Sequence, residues 1–197
     1  MIAVLAVVGM CGSGKSEVAG HLQAKGLPRV HFGSITMEEV RRRGLAVNEA
    51  NERQVREELR RVHGMAAYAV LSLPEIRRLV AEGRTVLIDG LYSYSELKVL
   101  QQEFPGQVFV VAVFTEKRLR YARLAARPVR PLTPAEAASR DAMEVENLEK
   151  APPIALADVT LLNNGTRAEL QAAVDALLCP LIDAGEVRLG GEGVAKE

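Results

Sequence analysis

The chain opens on an unbroken apolar run. Residues 2–8 read Ile-Ala-Val-Leu-Ala-Val-Val, apolar enough to predict a parallel strand buried on both faces. Further strand-like runs are a short one at 29–32, then 85–90, 107–114 (the most apolar) and 157–162. Helical spacing fills the intervals. A first helix is expected over 16–25, closed by Gly26, and a second over 35–43, opened by the Gly33-Ser34 pair as cap and stopped at Gly44. A longer one runs over 48–63, where Val55, Leu59 and Val62 form one apolar stripe. Residues 65–71 continue as packed helix after a kink at Gly64, and Pro74 starts a separate turn that ends near Gly83.

Helices are also expected over 95–103 and 116–126, the second broken by Arg127-Pro128-Val129-Arg130-Pro131. Thr133 with Glu136, and Thr166 with Glu169, have capping-box spacing. They predict helices over 134–150 and 166–178, with Pro152-Pro153 separating the former from the last strand. Residues 184–197 are glycine-rich and polar, the composition of a mobile tail or a marginal hairpin. Strands alternating with helices at this spacing imply an α/β fold, a five-stranded parallel sheet covered by helices on both faces. The expected division is one domain over 1–180 and a tail over 181–197.

The chemistry sits directly after the first strand. Gly9-Met10-Cys11-Gly12-Ser13-Gly14-Lys15-Ser16 is G-x-x-x-x-G-K-S, a complete phosphate-binding loop between a strand and a helix. Gly9, Gly12 and Gly14 allow tight turns and close approach of backbone to phosphate. The N–H groups along Cys11, Gly12, Ser13 and Gly14 and the new helix terminus face the anion. Lys15 can reach the β- and γ-phosphates, and the Ser16 hydroxyl can sit on Mg²⁺. The implied ligands are ATP and Mg²⁺.

Length, charge and cysteines narrow the class. The 197 residues are enough for one sizeable core, and 48% hydrophobic with 25% charged residues suits a globular protein. Lys plus Arg and Asp plus Glu balance at 25 each, so extensive nucleic-acid binding is not expected. The basic side is mostly arginine, which suits bidentate phosphate contacts but equally fits the compositional bias of a GC-rich genome. Cys11 and Cys179 suggest no disulfide framework, and no apolar run is long enough for a membrane span. A cytoplasmic monomer or homodimer acting on small molecules is the expectation.

Several residues outside the loop are candidates. Asp89 ends the 85–90 strand, where ligand-facing residues gather in open α/β sheets, and can serve Mg²⁺, its water or the acceptor. Tyr92, three residues on, can stack on an acceptor group or simply cover the sheet edge. Arg120, Arg123 and Arg127 share a helix face; Arg123 and Arg127 are read as phosphate contacts, and Arg118 and Arg120 as a solvated face. Asp141 is expected to hold an arginine in place. Asn163 can meet a purine base, although Asn163-Asn164-Gly165 also reads as a simple turn. His31 can line the acceptor side.

These features resemble the P-loop nucleoside and nucleotide kinase group, and within it adenylate-kinase-related and dephospho-coenzyme A kinase-like proteins. The marks are Val8-Gly9-Met10 into the loop, Gly33, Arg43-Gly44-Leu45, Val86-Leu87-Ile88-Asp89-Gly90, Arg140-Asp141, Ala157-Asp158-Val159 and Asn163-Asn164-Gly165, spread over 2–178. The resemblance implies a three-layer P-loop NTPase fold with a small lid near 127–140 and an acceptor-binding helical region near 34–82. It also implies phosphate contact by Arg123 and Arg127 on closure, and Asn163 beside the donor base. Many relatives carry Asp after the glycine matching Gly33 and an Arg soon after; here Ser34 and Met37 stand there. The acceptor side is therefore assigned only to His31, Ser34, Arg41 and Tyr92. The expected activity is transfer of the ATP γ-phosphoryl group to a small nucleotide, deoxynucleotide or coenzyme precursor. The alternative is a nucleotide-dependent ATPase switch acting on a protein partner.

Overall fold

The fold is described from a computed structural model covering residues 1–190. Five parallel strands form one sheet: β1 (Val4–Val8), β2 (Arg29–His31), β3 (Val86–Asp89), β4 (Val108–Phe114) and β5 (Val159–Leu162), in the order β2-β3-β1-β4-β5. The apolar amino-terminal run is thus the central strand, with Val4 opposite both Val86 and Val108. Its alternate side chains enter two cores. Val4, Ala6 and Val8 pack with Phe32, Tyr68, Ile76, Leu97 and Leu100 on one face. Leu5 and Val7 pack with Val18, Leu22, Leu170, Val174 and Leu178 on the other. This is the period-2 alternation of a strand, with helices burying both faces.

The helices are α1 (Lys15–Ala24), α2 (Gly33–Arg42), α3 (Glu49–His63), α4 (Ala67–Ala81), α5 (Tyr94–Glu103), α6 (Lys117–Ala125), α7 (Pro134–Glu146), α8 (Ala151–Ala155) and α9 (Arg167–Asp183). Both expected capping boxes are present, at Thr133–Glu136 and Thr166–Glu169, and Ser93–Glu96 adds a third.

Five expectations need correction. Ser34 does not cap α2; the helix starts at Gly33, so Ser34 lies inside its first turn. Pro74 does not start a new helix. It lies within α4, whose flanking turns are pinned by buried Ala67, Tyr68, Ile76 and Leu79, so the lost N–H bond falls at the solvent-facing Val70. Residues 134–150 are not one helix, because α7 stops at Glu146. Pro152 and Pro153 do not merely interrupt the chain but sit in the first turn of α8, where backbone N–H groups have no helical partner to lose.

The segment 184–190 is not a loose tail. It continues from a longer α9 than expected and runs along the amino-terminal ends of the strands. Ile2 N donates to Glu186 O (2.7 Å), Thr85 N to Arg188 O (3.0 Å) and Gly190 N to Gly26 O (2.8 Å), and Val187 is buried. The rest of the expected tail, 191–197, lies outside the described residues. Among the described residues, no helix is long and apolar enough to cross a membrane.

Candidate functional site

All five strands point their carboxyl ends at one edge, and the candidate residues collect there. Gly9 follows β1, His31 ends β2, Asp89 ends β3, Thr115 follows β4 and Asn163 follows β5. The loop from Gly9 to Gly14 is held from below. Asn163 Nδ2 donates to Ser13 O (2.8 Å), and Thr115 Oγ1 is 2.9 Å from the same oxygen. Arg120 Nη1 donates to Cys11 O (3.0 Å) and is clamped by the Asp141 carboxylate at 2.8 and 2.6 Å.

Two glycines are required by this geometry. Gly14 caps α1 at φ 97, and a Cβ there would run into the Asn163 amide. Gly9 has φ 150, and a Cβ would lie 2.6 Å from Ser13 Oγ and 2.5 Å from Val113 O. The Ser13 hydroxyl is buried with no hydrogen-bond partner among the described residues. A buried polar atom left open inside a glycine cradle fits a ligand oxygen.

Four charged groups meet at the loop. Lys15 Nζ donates to Met10 O (2.9 Å). Cys11 N donates to Glu144 Oε2 (3.0 Å), while Glu144 Oε1 pairs with Lys150 Nζ (2.9 Å) and lies 3.5 Å from Arg140 Nε. Burial, and next the Lys150 ammonium, pull the Lys15 pKa down to about 7. Burial alone would raise the Glu144 carboxyl, but Lys150, the Cys11 amide and Lys15 outweigh it, and the net direction is down.

Beside the loop lies a cavity of 590 Å³ between α2, α3 and α7, lined by His31, Tyr68, Tyr92, Arg56, Arg60, Arg130, Arg140 and Glu144, among others. Arg130 crosses from the loop before α7 to Glu49 (3.1 Å) and Glu52 (3.5 Å) on α3. Arg60 stacks over Tyr68, whose hydroxyl bonds Thr36 (2.8 Å). Asp89 is clasped by Arg29 and by His31 Nδ1 (3.0 Å), both on Oδ2. Burial opposes ionisation of Asp89, but these two partners hold its pKa below the ordinary value. A smaller cavity of 230 Å³ is lined by His31, Ser34, Met37 and Arg41 among others.

A family model described as an AAA domain matches residues 5–144, which run from β1 through the loop to Glu144. The UPF0200 protein of Thermococcus kodakarensis is 36% identical over 182 residues, covering 91% of this chain and 98% of that protein. The chain belongs to the UPF0200 family and carries an AAA domain. In three dimensions this UPF0200 chain is similar to a gluconokinase from Sinorhizobium meliloti, with TM-score 0.57 and 19% identity over 92% of this chain and 94% of that one. It is also similar to dephospho-CoA kinase from Campylobacter jejuni, with TM-score 0.54 and 13% identity over 91% and 97%. The shared architecture is the kinase-like P-loop fold.

Within the UPF0200 chain the candidate residues fall into two groups joined by Glu144. The first group holds the loop, Lys15, Ser16 in the exposed first turn of α1, and Asn163. Asn163 spends its amide on Ser13 O, beneath the loop. The second group holds His31, Asp89 and Tyr92, with Ser34 and Arg41 on the smaller cavity. Arg123 sits beside the loop's support, 3.3 Å from Thr115 Oγ1 and 3.5 Å from Gly165 O, and Arg127 is exposed just past α6.

Arg120 is a correction. It is buried and braces the loop, rather than belonging to a solvated face, because Asp141 and the Cys11 carbonyl satisfy its guanidinium. Residues not singled out in the sequence are Arg29, Glu144 and Lys150. The one usable signal was spacing: Glu144 is four residues beyond Arg140 and three beyond Asp141, so the helix brings all three near the same edge.

Proposed function

We propose that this chain is an ATP- and Mg²⁺-dependent phosphotransferase that moves the γ-phosphoryl group to a small acceptor, a nucleotide, deoxynucleotide or coenzyme precursor. One observation carries the reading. Glu144 touches the Cys11 amide of the phosphate loop and also lines the 590 Å³ cavity, so a donor cradle and a cavity of acceptor size share a wall. The kinase-like P-loop fold supports it.

When bound, Mg²⁺–ATP supplies the transferable group and much of the charge neutralisation. The chain's own residues do the positioning. The amides of 11–14, the Ser13 hydroxyl and Lys15 would hold the donor phosphates; Ser16 would hold the metal, and Asp89, whose Oδ2 is engaged by Arg29 and His31, would serve it through a bound water. Arg123 and Arg127 lie at the end of α6 and would contact phosphates as the 127–140 lid closes and excludes water. His31, Ser34, Arg41 and Tyr92 would receive the acceptor within the 34–82 region and beside it.

The test is coupled ADP release with Mg²⁺–ATP against a panel of nucleotides, deoxynucleotides and phosphorylated or hydroxylated coenzyme precursors. At least one acceptor should raise turnover well above the rate with water alone. Nucleotide binding with turnover that no acceptor stimulates would overturn the transferase reading and favour the ATPase switch.

A further inference from the structure

The phosphate loop already holds an anion of its own. The Glu144 carboxylate takes the Cys11 N–H at 3.0 Å, a group that a phosphate oxygen would otherwise use. Its second oxygen pairs with Lys150 at 2.9 Å, and both side chains are 2% exposed. A buried ion pair seldom gains net stability over an apolar pair of the same size, so its presence at this place calls for another reason. The charge count supplies one. Lys150 Nζ at 2.9 Å and Arg140 Nε at 3.5 Å both lie on this one carboxylate, and Lys15 stands beside it on the Met10 carbonyl, which leaves a surplus of cationic groups over Glu144 at the glycine cradle. A polyphosphate is the anion whose charge and oxygen count match that surplus.

We infer that Glu144 is an internal stand-in for a donor phosphate, that nucleotide and Glu144 compete for the Cys11 amide, and that binding frees Lys150 to become a second phosphate-contacting lysine. The inference rests on the triphosphate-binding reading above and adds a residue pair to it. It also gives the lid helix a way to sense the donor. Asp141, one turn before Glu144 on α7, stays anchored to Arg120. The carbonyl of Cys11 therefore keeps its brace while its amide changes partner.

The test is calorimetric titration of the full chain with the non-hydrolysable analogue AMP-PNP and Mg²⁺. Glu144→Gln keeps the shape but removes the internal anion, and should bind about tenfold tighter. Lys150→Met should bind about tenfold weaker, and Lys150→Arg should recover part of the loss. Opposite signs are the signature, because a pair that only holds the fold together would move both variants the same way. Glu144→Gln binding no tighter than the parent overturns the inference while leaving the phosphotransferase reading intact. A parent chain that does not bind AMP-PNP overturns both. If Glu144→Gln does not fold, Glu144→Asp, too short to reach the amide, must show the tightening; absence of it is equally fatal.

Discussion

Lys15 is held in reserve by the loop it serves. Its ammonium bonds the Met10 carbonyl, and burial together with Lys150 brings its pKa to about 7. Removing it takes away the cation proposed to meet the donor phosphates and leaves the cores untouched. Lys15→Ala should lower turnover by about 10²–10³-fold with an unchanged circular-dichroism spectrum and melting temperature; equal activity in variant and parent would refute its role. Glu96 offers a second case, one of stability. It is fully buried, its Oε2 accepts from Tyr92 N (2.6 Å) and Ser93 N (3.0 Å), and its Oε1 has no partner among the described residues. Burial raises its pKa from 4.5 to about 7. A raised carboxyl pKa stabilises the fold below pH 4.5, and that contribution is lost as pH rises through about 7. Glu96→Gln keeps a capping-box residue at the same helix position. It should therefore be more stable than the parent above pH 7, by up to about 3 kcal/mol, with the gap closing toward pH 4.5. Denaturant unfolding across pH 4.5–8.5 reads this directly, and parity at pH 8 would contradict it.

At the scale of the element, α7 organises the loop from outside the sheet. Asp141 and Glu144 lie one helical turn apart, and each reaches Cys11, the first through Arg120 at its carbonyl and the second at its amide. Asp141→Ala would strand the buried Arg120 guanidinium. The expected cost is about 2 kcal/mol, seen as a melting temperature lower by about 4–8 °C, together with weaker nucleotide binding. Arg118→Ala, on the exposed side of α6, should change neither. The contrast shows what the sequence makes legible. The capping boxes at Thr133 and Thr166, the buried alternation of β1 and the glycine loop are local signals, and each can be read from a few neighbouring residues. Arg118 and Arg120 differ by nothing local. Only the partner 21 residues away in Asp141 makes one of them part of the site. The same limit applies to Glu144 and Lys150, whose burial depends on how α7 and α8 dock. It applies to Pro74 as well, because tertiary packing around α4 overrides its reputation as a helix breaker.

The whole molecule separates chemistry from closure. The carboxyl ends of the strands carry the loop, Asp89, His31 and Asn163, as open parallel sheets generally arrange their ligand sites. The amino-terminal ends are sealed by the chain's return through 184–190, which hydrogen-bonds Ile2 and Thr85 ahead of β1 and β3 and reaches Gly26 ahead of β2. Val187 is the apolar plug of that seal, 2% exposed and packed into the core shared by α1 and α9. A charge there must be buried or must pry the segment off. Val187→Asp should thus destabilise the protein by about 2–4 kcal/mol. Because the plug lies at the opposite edge from the loop, nucleotide affinity per folded molecule, measured well below the unfolding transition, should stay within about twofold of the parent, the additivity expected of sites far apart. A variant that keeps its stability would show that the return segment is dispensable. One that folds but loses nucleotide binding would show that the two ends of the sheet are coupled through β1.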